Sequence, residues 1–506
     1  MPRPGFVLQV DDKTPALLTL SGAAVGLRHL GHGVQVVYPP DAVASQDPIG
    51  LIDQGLATPI SGPALDSLLS PETRLVIVVS DTVPPLPQLR FDPRRALLER
   101  VLELAARAGV DDVQIVIASG IGRRWSPHDI TNILGPRVAM SFLPDGRITS
   151  HDITADDLVS IGEVDGAPVL INQRVARADV VVTIDTSGGA KDAPVEAYGI
   201  TDLATLNRID GYRGSRALGL RVRDAVVSAI TSFAITAVVG QPLLPSPLGF
   251  LNKREWEWRL PDHLAYAGTR QLVAAMPRQG GRRLYAKPVA DYAVLDVIGG
   301  EPGKVATQAR QVWATSNSVR VASQSDVLVV SAWGSEFDAG NPVGSPLRAA
   351  EHVLVDRAGG HTGTPFLREA GVVVAFHPLT PTFSNRTQSS AADFFSTVLS
   401  QTLDPAEIHE SFESRALQDP WYTNLYREHN AFHQAHVFHS WYRIVAASRT
   451  VGEVIWVGAD RRAAATLGHR AASSYADALE LASNRVGADP SITYLHSPGR
   501  LVGEVG

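Results

Sequence analysis

The 506-residue chain has no cysteine and only 3 methionines. Without thiols it can form no disulfide, no thiolate metal site and no cysteine nucleophile. Lysine is nearly as scarce. Five stand at Lys13, Lys191, Lys253, Lys287 and Lys304, and the other 40 basic residues are arginine. Positive charge is not in excess either. The formal net charge is −7, and a general nucleic-acid binder would need a basic face. No apolar run reaches the roughly 18 residues of a membrane span; the longest candidate, residues 225–240, is broken by Ser and Thr. The opening MPRPGFVLQVDDKTP lacks the apolar core of a secretory signal. These absences lead us to expect a cytoplasmic protein with neither a membrane nor a nucleic-acid partner. There is also no GxSxG elbow and no GxxxxGK[ST] phosphate loop, so neither the common hydrolase nor the P-loop reading has its motif. Histidine, lysine, carboxylates and hydroxyls are left to do any chemistry.

What is present is an α/β pattern. With 44% hydrophobic residues the chain can bury a large core, and its length suggests two or three domains. Short apolar runs at Val34–Tyr38, Leu75–Ser80, Val113–Ser119 and Asp179–Asp185 read as buried strands. Between the second and third lies RRALLERVLELAARAG (Arg94–Gly109), whose apolar residues recur at three and four and whose glycine can end a helix. The theme returns at Asp326–Ala332, Val372–Pro378, Glu453–Ala459 and Ser491–Ser497, with helical patterns at Ala391–Leu403, Tyr422–Arg443 and Ser474–Asn484. PRQGGRRLYAKP (Pro277–Pro288) is the best linker candidate. We expect two α/β lobes, residues 1–285 and 286–506, each with a mainly parallel sheet and a ligand cleft between them.

In open α/β sheets ligands bind beyond the carboxyl ends of strands, and four such places carry candidate chemistry. SDTVPPLP (Ser80–Pro87) puts Asp81 before a proline-stiffened turn, either to hold a ligand or to cap backbone amides. ASGIGRRWSPHDI (Ala118–Ile130) combines Gly120 and Gly122, which let backbone amides approach an anion, with Arg123 and Arg124, which can grip a phosphate or carboxylate. Ser126 and Pro127 read there as N-cap and first helical residue. TIDTSGGAKD (Thr183–Asp192) offers a Gly188–Gly189 amide nest beside Lys191, or a plain turn with a solvated lysine. REHNAFHQAHVFHSWYR (Arg427–Arg443) spaces His429, His433 and His436 by four and three, so one helical face could present all three to a divalent metal. The interleaved Phe432, Phe438, Trp441 and Tyr442 suit an aromatic core face instead.

Together these segments resemble the nickel-dependent lactate racemases, especially a longer branch of about 500 residues. SDTVPPLP resembles the family's Asp-containing Pro-rich turn, GIGRRWSP its Gly-Leu-His-Arg then Thr-Pro, Ser150–Ile153 its His-Asp pair, and SGGAK its Gly-Gly-x-Lys. The Gly166–Val182 stretch is similar to the family's approach to its cofactor, and AFHQAHVFHSWY to a His-x-x-His segment of the longer branch. The resemblance implies a cytoplasmic isomerase whose nickel-pincer nucleotide is tethered to a lysine, here Lys191. The nickel–carbon centre would take hydride from a 2-hydroxy acid while paired histidines act as acid and base. Arg123 would be the arginine after the first of those histidines.

The histidines, however, stand elsewhere. Gly122 takes the place of the first catalytic histidine, and TLNRID (Thr205–Asp210) the region of the nickel-ligating one. No histidine occurs between His151 and His263, whereas four lie within Arg427–Arg443. General acid–base work needs a group that titrates near neutral pH, which glycine and arginine do not supply. We therefore expect a lactate racemase-like protein of the 2-hydroxy-acid racemase/epimerase superfamily with altered or lost nickel-pincer chemistry. In it Asp185 and Asp210, with Glu196 or Tyr198, stand in for the histidines, and Asp81, Gly120, Gly122, Arg123, Gly188, Gly189 and Lys191 form the cofactor cradle. Two alternatives stay open. One is a non-catalytic homologue that binds a 2-hydroxy acid or nucleotide and pairs with a histidine-complete paralogue or with itself. The other is a divalent-metal enzyme using the His429/His433/His436 face.

Overall fold

A computed structural model describes residues 3–44, 46–82, 88–187, 194–276, 289–332, 345–358 and 364–506. Gly188, Gly189 and Lys191 lie outside them, as do residues 83–87. Among the described residues two seven-stranded sheets organise the chain. All eight strands expected from the apolar runs are there, with ends shifted by a few residues.

The first sheet runs, edge to edge, through Gln88–Leu89, Val289–Gly300, Thr231–Leu243, Val180–Ser187, Leu75–Ser80, Val113–Ala118 and Ile148–Ser150. The last five of these pair in parallel; Val289–Gly300 is antiparallel to Thr231–Leu243. Its central strands are buried on both faces, which is why they read as unbroken apolar runs rather than alternating ones. Ile77 and Val79 pack with Leu97, Leu98 and Val101 of the Pro93–Arg107 helix, while Val76 and Val78 pack on the opposite side with Leu206, Ile209 and Val222. That period-two split gives helix–sheet–helix layering.

The second sheet runs through Phe6–Gln9, Gln35–Tyr38, Ile492–Leu495, Ser325–Ser331, Leu367–Phe376, Val451–Val457 and Arg470–Ala472, parallel except for the Phe6–Gln9 edge. The two sheets are therefore not separated by one cut near residue 285. Phe6–Gln9 and Gln35–Tyr38 enter the second sheet, and Val289–Gly300, beyond the expected linker, completes the first. An apolar run says that a strand is buried but not which sheet it joins; pairing decides it.

The Tyr422–Arg443 pattern is not one helix. A helix spans Pro420–His429, Asn430 turns left-handed at φ 51°, and a second helix begins at Ala435. Asn is among the few residues that adopt this conformation at little cost. Among the described residues no helix is long and apolar enough to cross a membrane.

Candidate functional site

Two clusters of polar side chains form, one at the strand ends of the first sheet and one where the second lobe meets the first.

The first is built on adjacent parallel strands. Asp81 follows Leu75–Ser80, and Asp185 lies near the end of Val180–Ser187, whose Ile184 pairs with Val79. Behind them Arg94 is buried. Its guanidinium donates to Asp92 at 2.7 and 3.0 Å and to the carbonyls of Ser80 at 2.8 Å and Thr82 at 3.0 Å, and it stacks over Trp125. Arg94 thus pins the backbone on both sides of Asp81. Burial lifts the Asp81 carboxyl to about 7; Arg94 opposes the shift and the neighbouring Asp185 adds to it. Burial also raises Glu196, on the same side of the sheet.

The loop after Val113–Ala118 closes this cluster. Gly120 has φ +48°, and a side chain there would run into the Tyr198 carbonyl. At Gly122 a Cβ would lie 2.7 Å from the Ser119 carbonyl and 2.8 Å from Asp81 Oδ2. The Asp81 carboxylate occupies the space of a side chain at 122, so glycine is what this backbone accepts. Arg123, expected to grip an anion, instead donates to Asp129 at 3.0 Å. Asp129 belongs to the capping box that Ser126 forms at the start of Pro127–Leu134, the N-cap and proline placed as the sequence suggested.

The second cluster joins the lobes. The 430–434 turn lies against the glycine loop, with His433 N–H donating to the Ile121 carbonyl at 3.2 Å and Arg123 bridged to Phe432. Tyr426, from the preceding helix, is buried in the first lobe's core, its hydroxyl 3.3 Å from the Gly120 carbonyl and 3.2 Å from that of His151. Further along, His439 Nε2 meets Asn207 Oδ1 at 2.8 Å, and Arg443 pairs with Asp210. Arg443 also holds buried Glu351 at 2.8 Å. Burial lowers both His433 and His439 to about 4, so both imidazoles are neutral near pH 7.

The structure thus brings Asp81, Gly120, Gly122, Arg123 and Asp185 together but sends Asp210 to the lobe boundary. The three-histidine face does not form. His429 ends one helix and is exposed, His433 sits in the turn, and His436 starts the next helix against Phe432. Among the described residues no group of three histidines or carboxylates could hold a metal ion. Sequence reasoning overlooked Arg94, His439 and Arg443. Arg94 could have been suspected from the Asp92–Pro93 cap that turns it under the strand end; no local signal marks the other two.

Comparison with known proteins places this geometry. Residues 30–187, which contain the strand ends and the glycine loop, match the model of the lactate racemase N-terminal domain. That segment is similar to the lactate racemase N-terminal domain. The lactate racemase apoprotein from Thermoanaerobacterium thermosaccharolyticum has a similar fold, at a TM-score of 0.62 and 14% identity, over 97% of this chain and 100% of that one. A Thermotoga maritima protein aligns at a TM-score of 0.47 and 11% identity over 92% of this chain and all of its own, too weakly to support an argument. No curated protein matches the chain in sequence. Gly122 meets Asp81, and the Leu203–Asp210 helix meets the second lobe through Asn207 and Asp210.

Proposed function

We propose that this is a lactate racemase-like protein of the 2-hydroxy-acid racemase/epimerase superfamily that binds a small 2-hydroxy acid at the first lobe's strand ends, with its nickel chemistry altered or lost. The observation that carries the reading is the Asp81 carboxylate in the space of a side chain at 122.

The family is associated with a nickel-pincer nucleotide, and the described residues do not fit its metal. A nickel ligand needs a free lone pair without a competing cation beside it. At the end of the Leu203–Asp210 helix, Asn207 is engaged by His439 and Asp210 by Arg443. The His439 Nδ1 is buried and without a hydrogen bond, but it lies 4.0 Å from an Asp210 carboxylate that already carries the Arg443 guanidinium. A divalent cation would meet that positive charge directly. We therefore route no step through the metal. Of the residues expected to replace the histidines, Asp185 supports the reading through its place beside Asp81, while Asp210 serves the lobe boundary.

The test is intact mass and nickel content after expression with the cofactor-synthesis genes, together with calorimetric binding of lactate. We expect unmodified Lys191, no nickel, and binding. A mass increase at Lys191 with bound nickel would overturn the loss of nickel chemistry. Glycine rather than histidine at position 122 favours a second reading, a regulatory homologue that pairs with a histidine-complete paralogue; co-purification with such a partner tests it, and failure to associate removes it.

A further inference from the structure

The second sheet ends in a three-residue strand. Arg470–Ala472 pairs with Ile455–Val457 only, so on that side Val451–Val454, the start of the neighbouring strand, has no partner strand among the described residues. The reason is local. The chain leaves the Arg461–Thr466 helix through Gly468, left-handed at φ +74°, and reaches the sheet only at Arg470. Both faces of the sheet are nevertheless covered here. Trp441 and Ile444 of the Ala435–Ser448 helix pack with Val454 and Trp456 on one face. Ala478 and Ala482 of the Tyr475–Val486 helix pack with Ile455 and Val457 on the other. The layer between the two helices is left unfilled, and a cavity of about 560 Å³ stands there, lined by both helices, by Val451–Val454 and by the turn at Gly468. Small-ligand sites are of this size, roughly 300–1,000 Å³.

The floor of the cavity is apolar. Trp441, Ile444, Val454 and Leu467 are each at most 5% exposed. Its rim is charged. Glu453 and Arg470 pair at 3.1 Å and cancel, whereas Arg485, in the last turn of its helix, is exposed and makes no ion pair among the described residues. The lining therefore carries one positive charge in excess. His469 adds a donor whose position is fixed. Trp456 Nε1 donates to His469 Nδ1 at 3.0 Å. An indole nitrogen only donates, so Nδ1 is the acceptor and the neutral ring carries its proton on Nε2, which makes no hydrogen bond among the described residues. Burial keeps that ring neutral near pH 7. We propose that this cavity binds a monocarboxylate with an apolar body. The body lies on the Trp441–Leu467 floor, and the carboxylate accepts from Arg485 and from His469 Nε2–H. A guanidinium matches carboxylate and phosphate alike, but a single surplus charge suits a singly charged head. The site lies at the amino ends of the second sheet's strands, does not depend on the 2-hydroxy-acid reading, and involves no change of covalent bonds.

The experiment is calorimetric titration of octanoate and of 1-octanol into the full chain at pH 7.5, for the wild type, Arg485→Gln and Ser448→Trp, with the size of each protein followed by sedimentation. We expect one octanoate per chain and 1-octanol bound about tenfold more weakly, as loss of a hydrogen bond to a charged group implies. Arg485→Gln should weaken octanoate about tenfold and leave 1-octanol unchanged, a split that a merely structural arginine would not produce. Ser448 lines the cavity, so Ser448→Trp should fill it and abolish both, with the melting temperature kept. If that variant does not fold, the exposed Arg485→Gln decides alone. No octanoate binding by the wild type, the same octanoate affinity in Arg485→Gln, or unchanged binding in folded Ser448→Trp overturns the inference. A wild-type dimer that octanoate leaves intact and Ser448→Trp dissociates would give the open strand edge to a second copy of the chain and overturn it as well.

Discussion

At the scale of single residues, the chemistry turns on what Gly122 lacks. Two oxygens, from Ser119 and Asp81, lie under 3 Å from where its Cβ would sit. Gly122→Ala should therefore cost about 1–3 kcal/mol, as overpacked sites do, measured as a lowered denaturation midpoint. Gly122→His, with a larger side chain at the same place, should cost more. An unchanged midpoint in both variants would mean that Asp81 moves aside freely. The glycine loop was legible in the sequence as a flexible, anion-approaching turn. That its space is filled by the carboxylate of a residue 41 positions earlier in the chain was not.

At the scale of elements, the break between Pro420–His429 and Ala435–Ser448 decides what the histidines do. A continuous helix would have aligned His429, His433 and His436; the left-handed Asn430 swings the chain so that His433 docks on the glycine loop and His439 reaches Asn207. A β-branched residue in that conformation is strained, so Asn430→Val should destabilise by about 1–2 kcal/mol and Asn430→Gly should be close to neutral. Chemical denaturation of the pair checks this; equal losses would mean that the side chain rather than the backbone holds the turn. The sequence carried a hint here, since EHNAF places Asn, a common helix stop, within an otherwise helical pattern. The periodicity on either side masked it.

At the scale of the whole molecule, the lobes are joined by buried charge. Arg443 compensates Asp210 of the first lobe and Glu351 of the second. Removing Arg443 leaves Asp210 with the distant Arg216, and Glu351 with Arg348 and Ser440 among its partners, so Arg443→Met should cost up to about 3–5 kcal/mol, with part recovered when Asp210→Asn is added. A loss below about 1 kcal/mol would mean that the boundary is wet and the pairs are screened. Acid should act here too. Burial lowers His151, His433, His439 and His469 to about 4. The unfolded chain binds these protons more readily, near 6.5, so the stability of the neutral forms is present above 6.5 and lost as pH falls towards 4. The raised carboxyl of Asp81 works in the opposite sense, favouring the folded state at low pH and losing that contribution as pH rises through 7. Melting temperature should fall between pH 6.5 and 4, and His433→Asn, whose oxygen can replace Nδ1 as acceptor for the Ala435 amide, should flatten that limb. A limb unchanged by the substitution would assign acid sensitivity to other groups.

What the sequence by itself determined is local. The buried strands, the Pro93–Arg107 helix, the Ser126 cap and the α/β class follow from apolar runs, periodicity and capping chemistry, all of which act between near neighbours in the chain. The displacement of histidine from the first half to the second was likewise countable. Only the tertiary structure decided which sheet the Phe6–Gln9, Gln35–Tyr38 and Val289–Gly300 strands would complete, that Asp81 would occupy the space at Gly122, and that His439 and Arg443 would close over Asn207 and Asp210. The physical reason is the same in each case. Strand pairing, close packing and the compensation of buried charge are settled by whatever the fold brings within a few ångströms, and residues far apart in the chain leave no trace of that meeting in their local sequence.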